Sequence, residues 1–228
     1  MDSNKASRDF FTPSDDLVRL GITTEIPGLP NVLLLGDSIS IGYTPFVREC
    51  LAGIANVFRP EENCGDTVRG LSSLQGWLGN RTWRVIHFNW GLWDLCYRNP
   101  EAQTHGHRDK LAGKLSVSLD DYARNLDTLV CRLTATGATL VWASTTRVPE
   151  GEIGRHVEDA PRYNAVAAGV MRRHGILVND LYACSLSIGP TGCVGAGDVH
   201  FSEEGSRLLG VTTAAAIRSS VVLAKFLS

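Results

Sequence analysis

Long apolar runs are missing from this 228-residue chain. A membrane-crossing helix needs about 20 predominantly apolar residues. The nearest approach, residues 208–227, is broken by Arg218, Lys225 and several Ser and Thr, and reads as an amphipathic closing helix. The opening residues MDSNKASRDFF hold no apolar segment of signal-peptide type, so the expectation is a cytoplasmic protein unless a leader has been removed. Blocks of like charge are missing too. The net charge is −2 with both signs interspersed, which leaves nucleic-acid binding and membrane attachment without electrostatic support. Lysine is scarce, four residues against a majority of Arg, a compositional bias with no site attached to it. The six cysteines form no C-x-x-C pair and no zinc-finger spacing, so they read as free thiols. Cys184 and Cys193 bracket one Gly-rich loop and would pair only in an oxidising compartment. That loop, residues 189–197, matches neither G-x-G-x-x-G nor a P-loop, and His105 and His107 have no third ligand at metal-binding spacing. The expectation is therefore no cofactor and no metal. G-x-S-x-G is absent as well, which excludes the usual nucleophile elbow.

What is present suits one globular domain. Hydrophobic residues make up 43% of the chain and charged residues 20%, enough to build a sizeable core. Residues 1–30, with Pro13, Pro27 and Pro30, read as an arm lying on a domain that spans 31–228. Strands are expected at 32–35, 56–59, 84–90, 139–145 and from 176. They alternate with helices near 45–53, 68–78, 118–136 and 159–174, and a last helix opens at Ser202. The clearest helix is 118–136. Ser118 and Asp121 make a capping pattern, and Leu119, Tyr122, Leu126, Leu129, Val130 and Leu133 line one face. Residues 98–117 are polar and read as a surface excursion. Alternating strands and helices imply a parallel sheet of about five strands with helices on both faces, a three-layer α/β/α fold.

The chain is organised around NVLLLGDSIS, residues 31–40. A short unbroken apolar run suits a strand buried on both faces, and Gly36 turns it toward a helix. Ser38 then stands at the carboxyl end of the strand, near backbone N–H groups that can stabilise a developing anion. About 160 residues later comes Gly197-Asp198-Val199-His200-Phe201, a His delivered on a loop just before the last helix. Asn63-Cys64-Gly65-Asp66-Thr67 and Gly91-Leu92-Trp93-Asp94 lie between them. In this order the four blocks resemble those of the GDSL hydrolases, the SGNH hydrolase superfamily. The resemblance spans residues 32–201 and implies a flavodoxin-like sheet and a serine esterase. It implies Ser38 as nucleophile, His200 as general base, and the N–H groups of Ser38 and Gly65 as oxyanion donors. Trp93 and Asp37 are the expected substrate contacts, and Asp94 is expected to buttress its loop.

Two positions depart from that pattern. The third block carries Trp93 where the family has its oxyanion-hole Asn, and Gly197 stands three before His200 where the family usually has Asp. The orienter of His200 is then either Asp198, two residues before it, or a backbone carbonyl. For the missing amide, Asn89 lies two residues before Gly91, so alternation along an extended segment turns both to one side. The reading taken is Asn89 as the side-chain donor with Trp93 shaping a small acyl pocket; the Trp93 indole N–H is the other candidate. The substrate class expected is a short-chain O-acyl ester such as a carbohydrate O-acetyl group. A lysophospholipid, an acyl-thioester, or a non-catalytic ligand-binding role stand as alternatives.

Overall fold

A computed structural model describes residues 25–226, the side chains of the last six excepted. Most of the expected N-terminal arm therefore lies outside the described residues. Its last part, 25–30, hooks onto the domain through Asn56, whose amide accepts from the Ile26 N–H at 2.9 Å and donates to the Ile26 carbonyl at 3.1 Å.

The core is a five-stranded parallel sheet. Strands β1 (Asn31–Leu35), β2 (Asn56–Phe58), β3 (Val85–Phe88), β6 (Thr139–Ala143) and β7 (Leu177–Asn179) lie in the order β2-β1-β3-β6-β7. This is the expected fold class, with β1 at the point where strand order reverses. In β1, Val32, Leu33, Leu34 and Leu35 are all sealed from solvent. A Leu side chain gains about 1.5–3 kcal/mol on full burial, so this strand alone anchors the layer. The interruption by Gly36 is required: a Cβ there would come within 2.9 Å of Ser40 Cβ and Oγ.

Helix α1 (Ser38–Cys50) packs on α6 (Glu203–Phe226), while α2 (Thr67–Leu78), α3 (Leu119–Thr134) and α4 (Asp159–His174) pack in series. Helix α3 is built as its pattern predicts. Ser118 Oγ accepts from the Asp121 N–H, and Tyr122, Leu126, Leu129, Val130 and Leu133 are buried. A sixth helix, α5 (Leu181–Ser187), was not expected from the sequence; it is a two-turn helix capped by Asp180, whose side chain accepts from the Ala183 N–H.

Helix α1 begins well before the expected position near residue 45. Proline at 45 suggested a helix start, but it lies inside the helix, and the true start is set by Asp37, whose Oδ1 accepts from the Ile39 N–H at 3.0 Å. Residues 97–117 include a small antiparallel pair, β4 (Tyr97–Arg98) with β5 (Lys114–Leu115), so the excursion is partly ordered by its own backbone. Among the described residues no helix is long and apolar enough to cross a membrane.

Candidate active site

Because β1, β3 and β6 run parallel, their carboxyl ends open on one edge of the sheet, where ligands of such folds bind. Ser38 is the first residue of α1, directly after β1. Its backbone N–H is one of those at the helix start without an intrahelical acceptor. His200 arrives from the far end of the chain on the segment preceding α6. That segment is fixed as a narrow hairpin: Cys193 bridges Phe201, the Val194 N–H donates to the His200 carbonyl at 3.2 Å, and the Ser202 N–H donates to the Gly192 carbonyl at 3.0 Å.

The three polar groups meet in a row. Ser38 Oγ lies 2.8 Å from His200 Nε2, and His200 Nδ1 lies 2.6 Å from Asp198 Oδ1. The same carboxylate oxygen accepts the His200 backbone N–H at 2.9 Å. That local loop explains how a two-residue spacing orients the ring. The Asp side chain curls onto the next residue but one, and its oxygen reaches backbone and ring together. With Nδ1–H facing the carboxylate, Nε2 is left to accept from the serine hydroxyl. Burial raises the Asp198 carboxyl, but the hydrogen bonds from His200 and the charges of His200 and Arg108 more than offset it, and the group is held below the usual aspartate range.

Gly197, standing where the family's Asp is expected, has its own requirement. Its φ is +72°, and a Cβ would lie 2.8 Å from the Gly151 carbonyl oxygen. An Asp could not be placed there without moving the 151 turn, and the acid has shifted by one residue.

The remaining site residues fall differently from expectation. Asn89 does not present its amide to the reaction centre. Its Nδ2 donates to the Ala143 carbonyl at 2.7 Å and to Thr145 Oγ1 at 3.3 Å, so both hydrogens tie β3 to β6. The alternation argument placed Asn89 correctly beside Gly91 but could not see that a neighbouring strand would claim the amide. Gly65 has the left-handed φ of +59° a turn glycine adopts, yet its N–H donates to Asn63 Oδ1 at 2.9 Å. Asp37 is 3% exposed and caps α1, which removes it from the expected role of substrate contact. Burial pushes its carboxyl above the ordinary range, against the Ile39 N–H and the charges of His200, Arg155 and Arg59. Trp93 is half-buried, with the Arg98 guanidinium carbon 4.7 Å from its ring centroid.

Asp94 is a buttress, as expected. Its Oδ1 accepts from the Thr67 N–H at 2.9 Å and the Thr67 hydroxyl at 2.6 Å, locking the third block to the start of α2. Gly91 beside it has no room for a side chain, since a Cβ would come within 1.9 Å of Thr145 Oγ1.

Two buried cations were not anticipated. Arg59, 9% exposed, donates to Ser40 Oγ at 2.8 Å, the Gly36 carbonyl at 3.4 Å and the Glu62 carbonyl at 3.2 Å, clasping the turn that carries Ser38 to the second-block loop. Arg155 donates to the Leu92 carbonyl at 2.6 Å and pairs with the fully buried Glu152 at 2.9 Å, which Arg108 also contacts at 3.1 Å. An arginine at the end of a strand carries no local signal that its partners will be carbonyls of two distant loops.

No thiol joins this site through a disulfide: all six cysteines are free, and Cys184 and Cys193 face Thr212 and Arg147 respectively. Asp127, Cys131 and His174 cluster within 4.8 Å on the seam of α3 and α4, but there the Asp127 carboxylate is already paired with Arg173 at 3.0 Å and His174 at 2.9 Å.

No protein-family model matches the sequence, and no curated protein matches it. Solved structures do. A lipase/acylhydrolase from Enterococcus faecalis superposes with a TM-score of 0.68 at 20% identity, over 84% of this chain and 96% of that one. An acetylxylan esterase from Geobacillus stearothermophilus gives 0.64 at 15% identity, over 82% and 94%. A candidate SGNH hydrolase from Slackia heliotrinireducens gives 0.58 at 19% identity, over 83% and 100%. The chain has the SGNH hydrolase fold. In that fold the four sequence blocks and the Ser38–His200–Asp198 row sit together at one end of the sheet.

Proposed function

We propose that this protein is a serine ester hydrolase that cleaves short-chain O-acyl esters, carbohydrate O-acetyl groups among them. The observation that carries the reading is the continuous hydrogen-bonded row from Ser38 Oγ through the His200 ring to Asp198, at a helix start. In the proposed reaction Ser38 Oγ attacks the ester carbonyl while its proton passes to His200 Nε2. The tetrahedral intermediate collapses, the alcohol leaves with the proton from Nε2, and the acyl group remains on Ser38. Water then attacks the acyl-enzyme with His200 again as base, releasing the acid and free Ser38. Asp198 keeps Nδ1–H pointing inward and offsets the charge on the imidazolium.

One observation supports a short acyl group. The cavity behind the nucleophile turn, bordered by Asp37, Ser40, Asn89 and Thr146, measures only about 10 Å³, room for about one water and not for an alkyl chain. The acetylxylan esterase among the similar structures supports the carbohydrate ester on grounds of likeness alone. A non-catalytic role has less support, because a binding module gains nothing from an aligned Ser–His–Asp row.

The test is hydrolysis of p-nitrophenyl acetate together with labelling by a fluorophosphonate. The parent protein is expected to turn over acetate esters in the presence of EDTA, faster than longer acyl esters, and to be labelled on Ser38. Unchanged activity in Ser38→Ala would end the proposal.

A further inference from the structure

The oxyanion needs donors, and two of the groups expected to supply them are engaged elsewhere. The Asn89 amide is bound to Ala143 and Thr145, and the Gly65 N–H is bound to Asn63. The Ser38 N–H alone stands open at the start of α1. One donor is a weak oxyanion hole, since each removed donor typically costs ~10²–10³ in rate.

Among the tryptophans one indole is placed differently from the rest. Trp77 donates to Glu62 Oε1 at 2.6 Å, Trp83 to the Leu78 carbonyl at 3.0 Å, and Trp90 to the Cys64 carbonyl at 3.3 Å, while the Trp142 N–H also lacks an acceptor but is sealed in the core, out of reach of any ligand. Trp93 is half-buried, on the loop that leaves β3, the strand beside β1. Its N–H has no acceptor among the described residues. Its backbone is held on both sides. The preceding Leu92 carbonyl accepts from Arg155 at 2.6 Å, and the following Asp94 carboxylate is bound by Thr67, two residues after Gly65. The ring itself is clamped by the guanidinium of Arg98, which donates to the Gly106 carbonyl.

We propose that the Trp93 indole N–H is the side-chain donor to the oxyanion, taking over from the amide the family carries at this position, and that Arg98 is its positioning residue. The proposal rests on the serine-hydrolase reading above and replaces the assignment of that role to Asn89. Physical chemistry favours the exchange. An indole has a single donor and no acceptor, so unlike an amide it cannot be turned the wrong way round. A stacked, rigid ring requires little ordering when charge develops, which is the condition for electrostatic preorganisation. A cation on the ring face draws on the same π-density that feeds the N–H bond, and so makes the hydrogen a better donor.

The experiment compares Trp93→Phe, Trp93→His, Arg98→Met and Asn89→Ala with the parent on p-nitrophenyl acetate, together with inhibition by a trifluoromethyl ketone whose hydrate-derived oxyanion occupies the hole. Trp93→Phe should keep the fold by thermal melt, lower kcat ~10²–10³-fold with KM nearly unchanged, and weaken the ketone by a similar factor. Trp93→His, which retains a ring N–H, should recover part of both. Arg98→Met should cost less, and should be silent when Trp93 is already Phe, because its effect runs through the indole. Parental kcat and ketone affinity in Trp93→Phe would overturn the proposal while leaving the serine mechanism standing. So would a folded Asn89→Ala that lost both. A parent with no Ser38-dependent hydrolysis would overturn the serine reading, and the proposal with it.

Discussion

Asp198 is the residue whose geometry says most about its own replacement. One oxygen accepts both the ring N–H and the backbone N–H of His200. In Asp198→Asn the backbone N–H selects the amide oxygen for that position, so the ring keeps its tautomer and only the charge is lost. Asp198→Ala loses the tautomer control as well. We therefore expect Ala to lower kcat by ~10³–10⁴-fold, near the scale for disabling a triad acid, and Asn to cost at least ~10-fold less. Equal losses in steady-state kinetics would mean that the charge alone matters. Replacing His200 by Ala should abolish turnover as completely as Ser38→Ala, and combining the two should add almost nothing, because each is useless to the other.

At the level of elements, the site is a set of loops tied to one another by buried polar groups. Asp94 joins the third block to α2, and burial pushes its carboxyl up to about 7, only partly offset by the two hydrogen bonds from Thr67. A carboxyl raised above its ordinary value of 3.8 holds its proton more tightly in the folded state. Its stabilising contribution is full below about pH 4 and is lost as pH rises through about 7. Asp94→Asn removes that dependence, so the difference in Tm between variant and parent should shift in the variant's favour from pH 4 to 7 and level off above. A difference that stayed flat across that range would show that Asp94 is ionised throughout. Arg59 makes the complementary tie, from the nucleophile turn to the second block. Arg59→Met leaves the Gly36 and Glu62 carbonyls without their shared donor. It should lower kcat/KM on acetate esters ~10-fold or more and Tm by several degrees, on the scale of buried charged hydrogen bonds. A variant with parental kcat/KM would reduce Arg59 to a packing role.

Across the whole molecule, the sequence shows the parts whose causes are local. Strand β1 is legible because four consecutive apolar residues precede a glycine, and α3 because its cap and stripe are both within one window. Ser38 and His200 are legible because the order of blocks along the chain mirrors their meeting at one sheet edge. Asn89 was expected at the reaction centre because its acceptors, Ala143 at the end of β6 and Thr145 just past it, lie more than fifty residues away, and no local pattern states that register. Arg59 and Arg155 were missed for the same reason: the acceptors that tie them to distant loops, in Gly36 and Leu92, are main-chain carbonyls, and every residue has one. Helix α1 was started too late because proline is a strong local mark, and the Asp37 cap that overrules it is a weaker one.

The bond lengths at the site also divide it into two unequal halves. Base and acid sit two residues apart on one hairpin and hold each other through two hydrogen bonds, whereas the nucleophile belongs to a segment 162 residues earlier and meets them through one. If the hairpin 189–202 shifts, His200 and Asp198 move as a unit with their mutual alignment intact, at the cost of the contact to Ser38, the Arg147–Cys193 bond and the burial of Val199 and Phe201. Re-engagement then requires no rebuilding of the pair, only the return of the hairpin to its seat. The hairpin and α6 thus carry the imidazole and its carboxylate as a finished module, one that would need from a recipient a serine at the start of its first helix, donors for the oxyanion and a core that seats Val199 and Phe201.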